Sequence, residues 1–173
     1  MAKFNITEAL QGSNVNKLAK TALIDVLLVA AVCLLPALSH LAAVPFYKLN
    51  PMLLLLLSGM ILVNDRRNAY LLAVALPFVS SMLVGMPTTI CAVCIAVEYI
   101  VLVSIFNLFC KRSGFVGIFA AIFGAIVLAK LVYYGMKWLL LSPEVLISTP
   151  ILLQLVVTIA TAALFAAIYV RQR

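Results

Sequence analysis

Glu98 and Lys130 are the residues of this chain whose types and positions best suit chemistry. Each lies ten residues from the nearer end of an apolar run, Thr88 in one case and Leu140 in the other. At about 1.5 Å of helical rise per residue, both charges sit roughly 15 Å inside that end. Cys91, Cys94 and Glu98 follow spacings of three and four, which on a helix is one face. Lys130, Tyr133 or Tyr134, and Lys137 share a face in the same way. An acid, a base and phenols at one depth bind and orient a polar ligand. The competing reading is an ion pair that only locks two helices together. Ionisable groups at such depth are costly and usually functional, which favours a ligand for one or both.

Other side chains carry less. Cys91-x-x-Cys94 has the spacing of a redox or zinc motif, but a zinc set needs four ligands and no second pair is spaced to supply it, so the cysteines read as small apolar helix residues. His40 is the only histidine, which leaves no His-ligated metal, and neither a glycine-rich phosphate loop nor a Ser-His-Asp arrangement can be built. The chain therefore reads as a binding protein without catalytic residues, metal or cofactor. The polar groups toward the end that holds Thr88 are few, among them His40, Asn50, Ser80, Ser81 and Thr88. Asp25, one turn into the first apolar segment, is expected to pair with basic turns at the opposite end. Pro36, Pro77 and Pro150 read as adjusters of helix geometry.

The elements that position these residues follow from composition. Of 173 residues, 66% are hydrophobic and 10% charged, with mean hydropathy +1.25. Soluble domains hold about 45–50% apolar residues, so this is an all-α integral membrane protein. The net charge of +7 then reports topology rather than nucleic-acid binding. Residues 1–20 form a polar, mildly amphipathic lead, with Thr7 as a cap and Gly12 as a stop for a short interfacial helix. A signal peptide would carry an apolar stretch of only about 7–15 residues, so the first span reads as uncleaved.

Residues 21–173 form one domain with apolar segments at 21–43, 51–63, 69–85, 88–110, 114–141 and 145–170. Most reach the roughly 17–25 residues that cross a bilayer. The second, at 13 residues, must either borrow from residues 44–50 or cross only partly. Charge favours six crossings with both termini cytoplasmic. Lys3, Lys17, Lys20, Arg66, Arg67, Lys111, Arg112, Arg171 and Arg173 then fall on one side, against Lys48 and Lys137 on the other, a strong positive-inside bias. The short inner turns at 64–68 and 111–113 make the segments they join antiparallel neighbours.

The run Leu49-Asn50-Pro51-Met52, the inner turn, AVALPFVSSMLVGMPTT and the mid-helix Glu98 together resemble the substrate-binding S components of energy-coupling factor transporters. Pro77, Ser80, Ser81, Leu83, Gly85, Met86, Pro87 and Glu98 match a pattern found in several of these six-helix proteins, and Lys130-Leu131-Val132-Tyr133 is similar to the basic residue and tyrosine of their fifth helix. The likeness covers about residues 21–140. It implies a protein of the bacterial cytoplasmic (inner) membrane, in contact with lipid, that captures a vitamin or related small metabolite in an outward-facing pocket. It also implies a transmembrane coupling protein and two ATPases as partners. Residues 44–50 would be the lid, Ser81 and Thr88 the pocket wall, and Glu98 with Lys130 the polar anchors; Tyr133, Asn50 and His40 complete the candidate site. Where relatives often show Ala-x-x-x-Ala on helix one for docking, this chain has Ala22, Val26 and Ala30.

Two other readings stay open. A six-span scaffold would bind protein partners and tolerate loss of Glu98 and Lys130. A solitary carrier would need polar groups through both halves of the membrane, yet the inner halves of the last three segments offer little beyond Asn107, Thr158 and Thr161.

Overall fold

A backbone surrounded by lipid must satisfy its hydrogen bonds within each crossing segment, so long apolar runs fold as helices. The computed structural model describes residues 6–41, 50–110, 114–140 and 150–172, with side chains from residue 15 onward except that of His40. Among these residues there are six α-helices and no strand: α1 (Ile6–Leu41), α2 (Pro51–Val63), α3 (Arg66–Val84), α4 (Thr89–Phe109), α5 (Phe115–Leu140) and α6 (Ile151–Gln172). Five are long and apolar enough to cross a membrane, and α2 is shorter. Most of the expected lid, Lys48, the 111–113 turn and Glu144 lie outside the described residues.

One expectation about the first segment is corrected. The expected stop at Gly12 does not occur: α1 runs unbroken for 36 residues with Thr7 and Gly12 inside it. A lone interior glycine costs a helix only about 1 kcal/mol relative to alanine, and the residues after it carry the helix on. At about 54 Å, α1 outruns a hydrocarbon core of about 30 Å. Of the two alternatives for α2, the helix itself starts at Pro51, with Asn50 in the left-handed region at φ 49°. Proline at the first helical position loses no intrahelical bond.

The turn between α2 and α3 is tighter than expected, only Asn64 and Asp65. Asn64 takes a left-handed conformation and donates its backbone N–H to Met60 O at 3.2 Å. The Asp65 carboxylate accepts from Arg67 N at 3.0 Å and caps α3. At the far end of α3, Gly85 adopts φ 73° and its N–H donates to Ser81 O at 3.1 Å, a cap that a side chain would strain. The bundle thus has a Gly85 end and an Arg66 end.

Packing divides the helices into two sets, α1–α2–α3 and α4–α5–α6, joined where α3 lies on α4 and, more sparingly, where α2 meets α6. Gly59 lets the first set close up: a Cβ there would stand 2.5 Å from Leu72 Cδ1 and 3.0 Å from Leu28 Cδ1. Within the second set, Phe106 meets Phe165 and Tyr169 edge-on at 5.3 and 5.6 Å. Among the described residues Asp25 meets the 64–68 turn through an amide rather than an arginine: its Oδ1 accepts from the buried Asn68 Nδ2 at 2.8 Å where α1 packs on α3. Leu23, Leu27 and Leu34 of α1, Leu131 of α5 and Leu152 and Leu164 of α6 stand exposed, as a lipid-facing surface requires.

Candidate functional site

The most extensive seam of the bundle, between α4 and α5, holds the charges. Both helices are mostly apolar, and their few charged residues, Glu98 on α4 and Lys130 and Lys137 on α5, lie along this seam. Lys130 Nζ lies 2.8 Å from Glu98 Oε1. Glu98 is enclosed, 1% exposed, whereas the Lys130 side chain keeps 26% of its surface. Among the described residues Lys130 is the one charged partner of that carboxylate. At 2.8 Å the attraction offsets desolvation that would otherwise make a mid-helix carboxylate untenable.

Aromatic rings extend the pair toward the Gly85 end. Lys130 Nζ stands 5.0 Å from the centre of the Tyr133 ring and Lys137 Nζ 5.9 Å from the same ring, both within cation–π reach. Tyr134 packs edge-on against Tyr133 at 5.4 Å and donates its hydroxyl to Gln154 Oε1 at 2.6 Å, which ties the cluster to α6. Among the described residues no group of three or more His, Cys, Asp and Glu side chains could hold a metal.

The remaining expected site residues are placed differently. Asn50 Oδ1 accepts the Tyr99 hydroxyl at 3.3 Å. Tyr99 is fully buried ten residues into α4, so α2 begins at the height of Glu98 and leaves the Gly85 half of the bundle to the other helices. Ser81 makes no side-chain hydrogen bond among the described residues; its neighbour Ser80 is buried and donates to Met86 O at 2.6 Å, clamping the α3–α4 turn. Thr88 is exposed at the start of α4, without a side-chain cap bond and about 15 Å along the axis from Glu98. Ser81 and Thr88 are therefore not gathered with the charged pair, because helical rise separates them from it. The His40 side chain lies outside those described. Lys137, expected only to share a face with Lys130, is buried beside Tyr133. Its three-residue and seven-residue offsets from Tyr134 and Lys130 were the available signal.

Beyond Glu98 toward the Arg66 end, Tyr99, Leu102, Val103 and Phe106 form an apolar seal, each 2% exposed or less. Past the seal, where the two helix sets meet, lies a half-open cavity of about 300 Å³ bordered by Asn64, Asp65, Arg66, Asn107, Tyr169 and Gln172. The Asn107 Nδ2 is enclosed there without a hydrogen-bond partner. Its mouth is polar and exposed, as befits water contact. Neither Glu98 nor Lys130 borders this cavity; Ser104, between Glu98 and Asn107 on α4, is bonded to the Tyr70 hydroxyl at 3.0 Å and to Ile100 O at 2.7 Å. No protein-family model, no curated protein and no solved structure matches this chain.

Proposed function

We propose that this protein is a substrate-capturing membrane subunit that works as the S component of an energy-coupling factor importer does. In this reading it spans a bacterial cytoplasmic membrane six times, with the Arg66 end and both termini cytoplasmic. The observation that carries the reading is the Glu98–Lys130 ion pair at mid-height, continued by Tyr133 and Lys137 toward the Gly85 end, in a bundle whose core is mostly apolar. An intramembrane charge cluster is expensive and marks a ligand or ion path by default. Its setting supports capture from outside: α2 begins only at Pro51, with Asn50 bonded to Tyr99 at the height of Glu98, so α2 does not extend into the Gly85 half. The apolar seal opposes a simple channel or solitary carrier and suits a subunit that must be moved by partners to release its load.

Those partners would be a transmembrane coupling protein and two ATPases. Ala22, Val26 and Ala30, four residues apart on α1, all stand exposed and form the face such a helix would use. A protein-binding scaffold is the second reading, favoured by the closed geometry of the 2.8 Å ion pair. Native mass spectrometry of protein purified gently from its own membranes separates them. A co-purifying small metabolite supports capture; an empty bundle holding a stable protein partner supports the scaffold.

A further inference from the structure

The cavity of about 300 Å³ at the Arg66 end borders neither Glu98 nor Lys130 and has no part in the capture reading. Its size is at the low end of pockets that hold small ligands. Helix ends build its polar wall: Asn64 and Asp65 in the α2–α3 turn, Arg66 at the start of α3, Asn107 near the end of α4, and Tyr169 and Gln172 in the last turn of α6. Met60, Ile61 and Phe106 form its apolar side. Each polar group stands within about one helical turn of an end, roughly 5 Å. That is the depth of the headgroup layer, which adds about 5–7 Å to each face of the hydrocarbon core.

Asn107 Nδ2 is enclosed at this wall and has no acceptor among the described residues. An orphaned donor is costly, and the terminal torsion of an asparagine is broad enough to turn its amide toward the cavity. The groups around it mostly donate: the Arg66 guanidinium, the Tyr169 hydroxyl and the Asn64 and Gln172 amides, against one carboxylate. That carboxylate, Asp65, already accepts Arg67 N at 3.0 Å as the cap of α3. Arg67 and Arg171, exposed and next in the chain to lining residues, add two further positive charges to this end. The carbonyl ends of α4 and α6 oppose them only with partial charges, which salt screens at an exposed rim. A guanidinium fork with amides and a phenol suits phosphate oxygens, which an arginine meets in pairs. Depth and the apolar side then select the source. A soluble phosphate has no use for Met60, Ile61 and Phe106, whereas a lipid lays its chains there with its phosphate at headgroup level. We propose that this cavity binds the phosphate of an anionic phospholipid, with Arg66 and Asn107 as its anchors. The site does not depend on solute capture at Glu98 and Lys130; it requires only that the Arg66 end lie at a membrane surface.

The test uses the full chain in a neutral detergent, shown by native mass spectrometry to be free of lipid, and follows thermal unfolding at constant ionic strength. The probes are dihexanoyl phosphatidylglycerol, dihexanoyl phosphatidylcholine, glycerophosphoglycerol and inorganic phosphate. Phosphatidylglycerol should raise the unfolding midpoint at lower concentration than any of the others. Arg66→Gln should weaken that response about tenfold, as loss of a charge-assisted hydrogen bond does, while Arg66→Lys keeps part of it. Asn107→Leu should weaken it about threefold without lowering the midpoint of the lipid-free protein, because it removes a donor that has no acceptor. Lys17→Gln takes the same charge from an exposed position on α1 and should leave the response unchanged. If it matches Arg66→Gln, net surface charge holds the lipid and the inference falls. Phosphatidylcholine as effective as phosphatidylglycerol overturns it as well. Equal protection by inorganic phosphate or glycerophosphoglycerol assigns the cavity to a soluble phosphate and overturns the lipid as its source. Where Asn107→Leu does not fold, Asn107→Asp takes its place: a carboxylate there should abolish the response, and an undiminished response refutes the site. A midpoint that no probe moves refutes it outright.

Discussion

Removing the two members of the α4–α5 ion pair should have unequal effects, and the structure sets the inequality. At 2.8 Å and an effective dielectric of about 20, the gross attraction is about 6 kcal/mol. Desolvation of an enclosed carboxylate takes back several of these, so the pair is worth little net, yet stranding one partner is costly. Lys130→Met leaves Glu98, 1% exposed, without its counter-charge. The expected loss is about 3 kcal/mol, the low end for a broken buried pair, because the lysine itself is a quarter exposed. Glu98→Gln strands only Lys130, whose stem already reaches the surface, and should cost about 1 kcal/mol. The double variant buries a neutral amide beside a methionine and should return to within about 1–2 kcal/mol of wild type, a coupling of about 2 kcal/mol. Reversible unfolding in mixed micelles of the four proteins measures this cycle. Equal losses for the two single variants, or strictly additive losses in the double, would refute the claim that Glu98 depends on Lys130 for its burial.

Further expectations concern packing and topology. Gly59→Val should destabilise the α1–α2–α3 set by about 1–3 kcal/mol, since its Cβ would press on Leu72, itself fully buried; an unchanged unfolding midpoint would show that the three helices do not approach as closely as described. Asn68→Leu leaves the Asp25 carboxylate without its amide donor and should cost about 1–3 kcal/mol, recovered in part by adding Asp25→Asn, as unfolding curves of the three variants would show. Tyr99→Phe removes a 3.3 Å bond to Asn50 and should cost about 0.5–1.5 kcal/mol. It should also speed proteolysis near residue 50, and unchanged cleavage would detach Asn50 from Tyr99. Single reporter cysteines at Met86 and Asn64 should react with a membrane-impermeant maleimide from opposite sides of intact cells, Met86→Cys from outside. Labelling of both from one side would show that α2 or α3 does not cross.

How much was legible in the chain depended on whether the signal was local. Hydropathy is a property of consecutive residues, so the long apolar segments could be delimited without knowing their neighbours, and α2 to α5 appear within a few residues of those limits, whereas α1 begins at Ile6, well before the expected start at 21, because its polar lead is helical too. The equal depth of Glu98 and Lys130 was legible for the same reason, because helical rise is constant and both are counted from nearby ends. Their 2.8 Å contact is consistent with that arithmetic. Rotation about each helix axis was not legible. When a helix is apolar nearly all round, no hydrophobic stripe says which side meets a partner, and only packing selects Ser80 over Ser81 for the α3–α4 turn or Asn68 for Asp25.

The longer-range arrangement was even less accessible. That α2 begins at the height of Tyr99 rests on a hydrogen bond across 49 positions of chain, and the burial of Lys137 beside Tyr133 rests on how α5 seats against its neighbours. The amino-acid sequence by itself determined that this chain is helical and suited to lipid, and where its few charges lie along each helix, because those follow from composition and a fixed rise. Tertiary structure alone decided which of those charges meet, as Glu98 and Lys130 do at 2.8 Å, because that depends on which helix faces pack together.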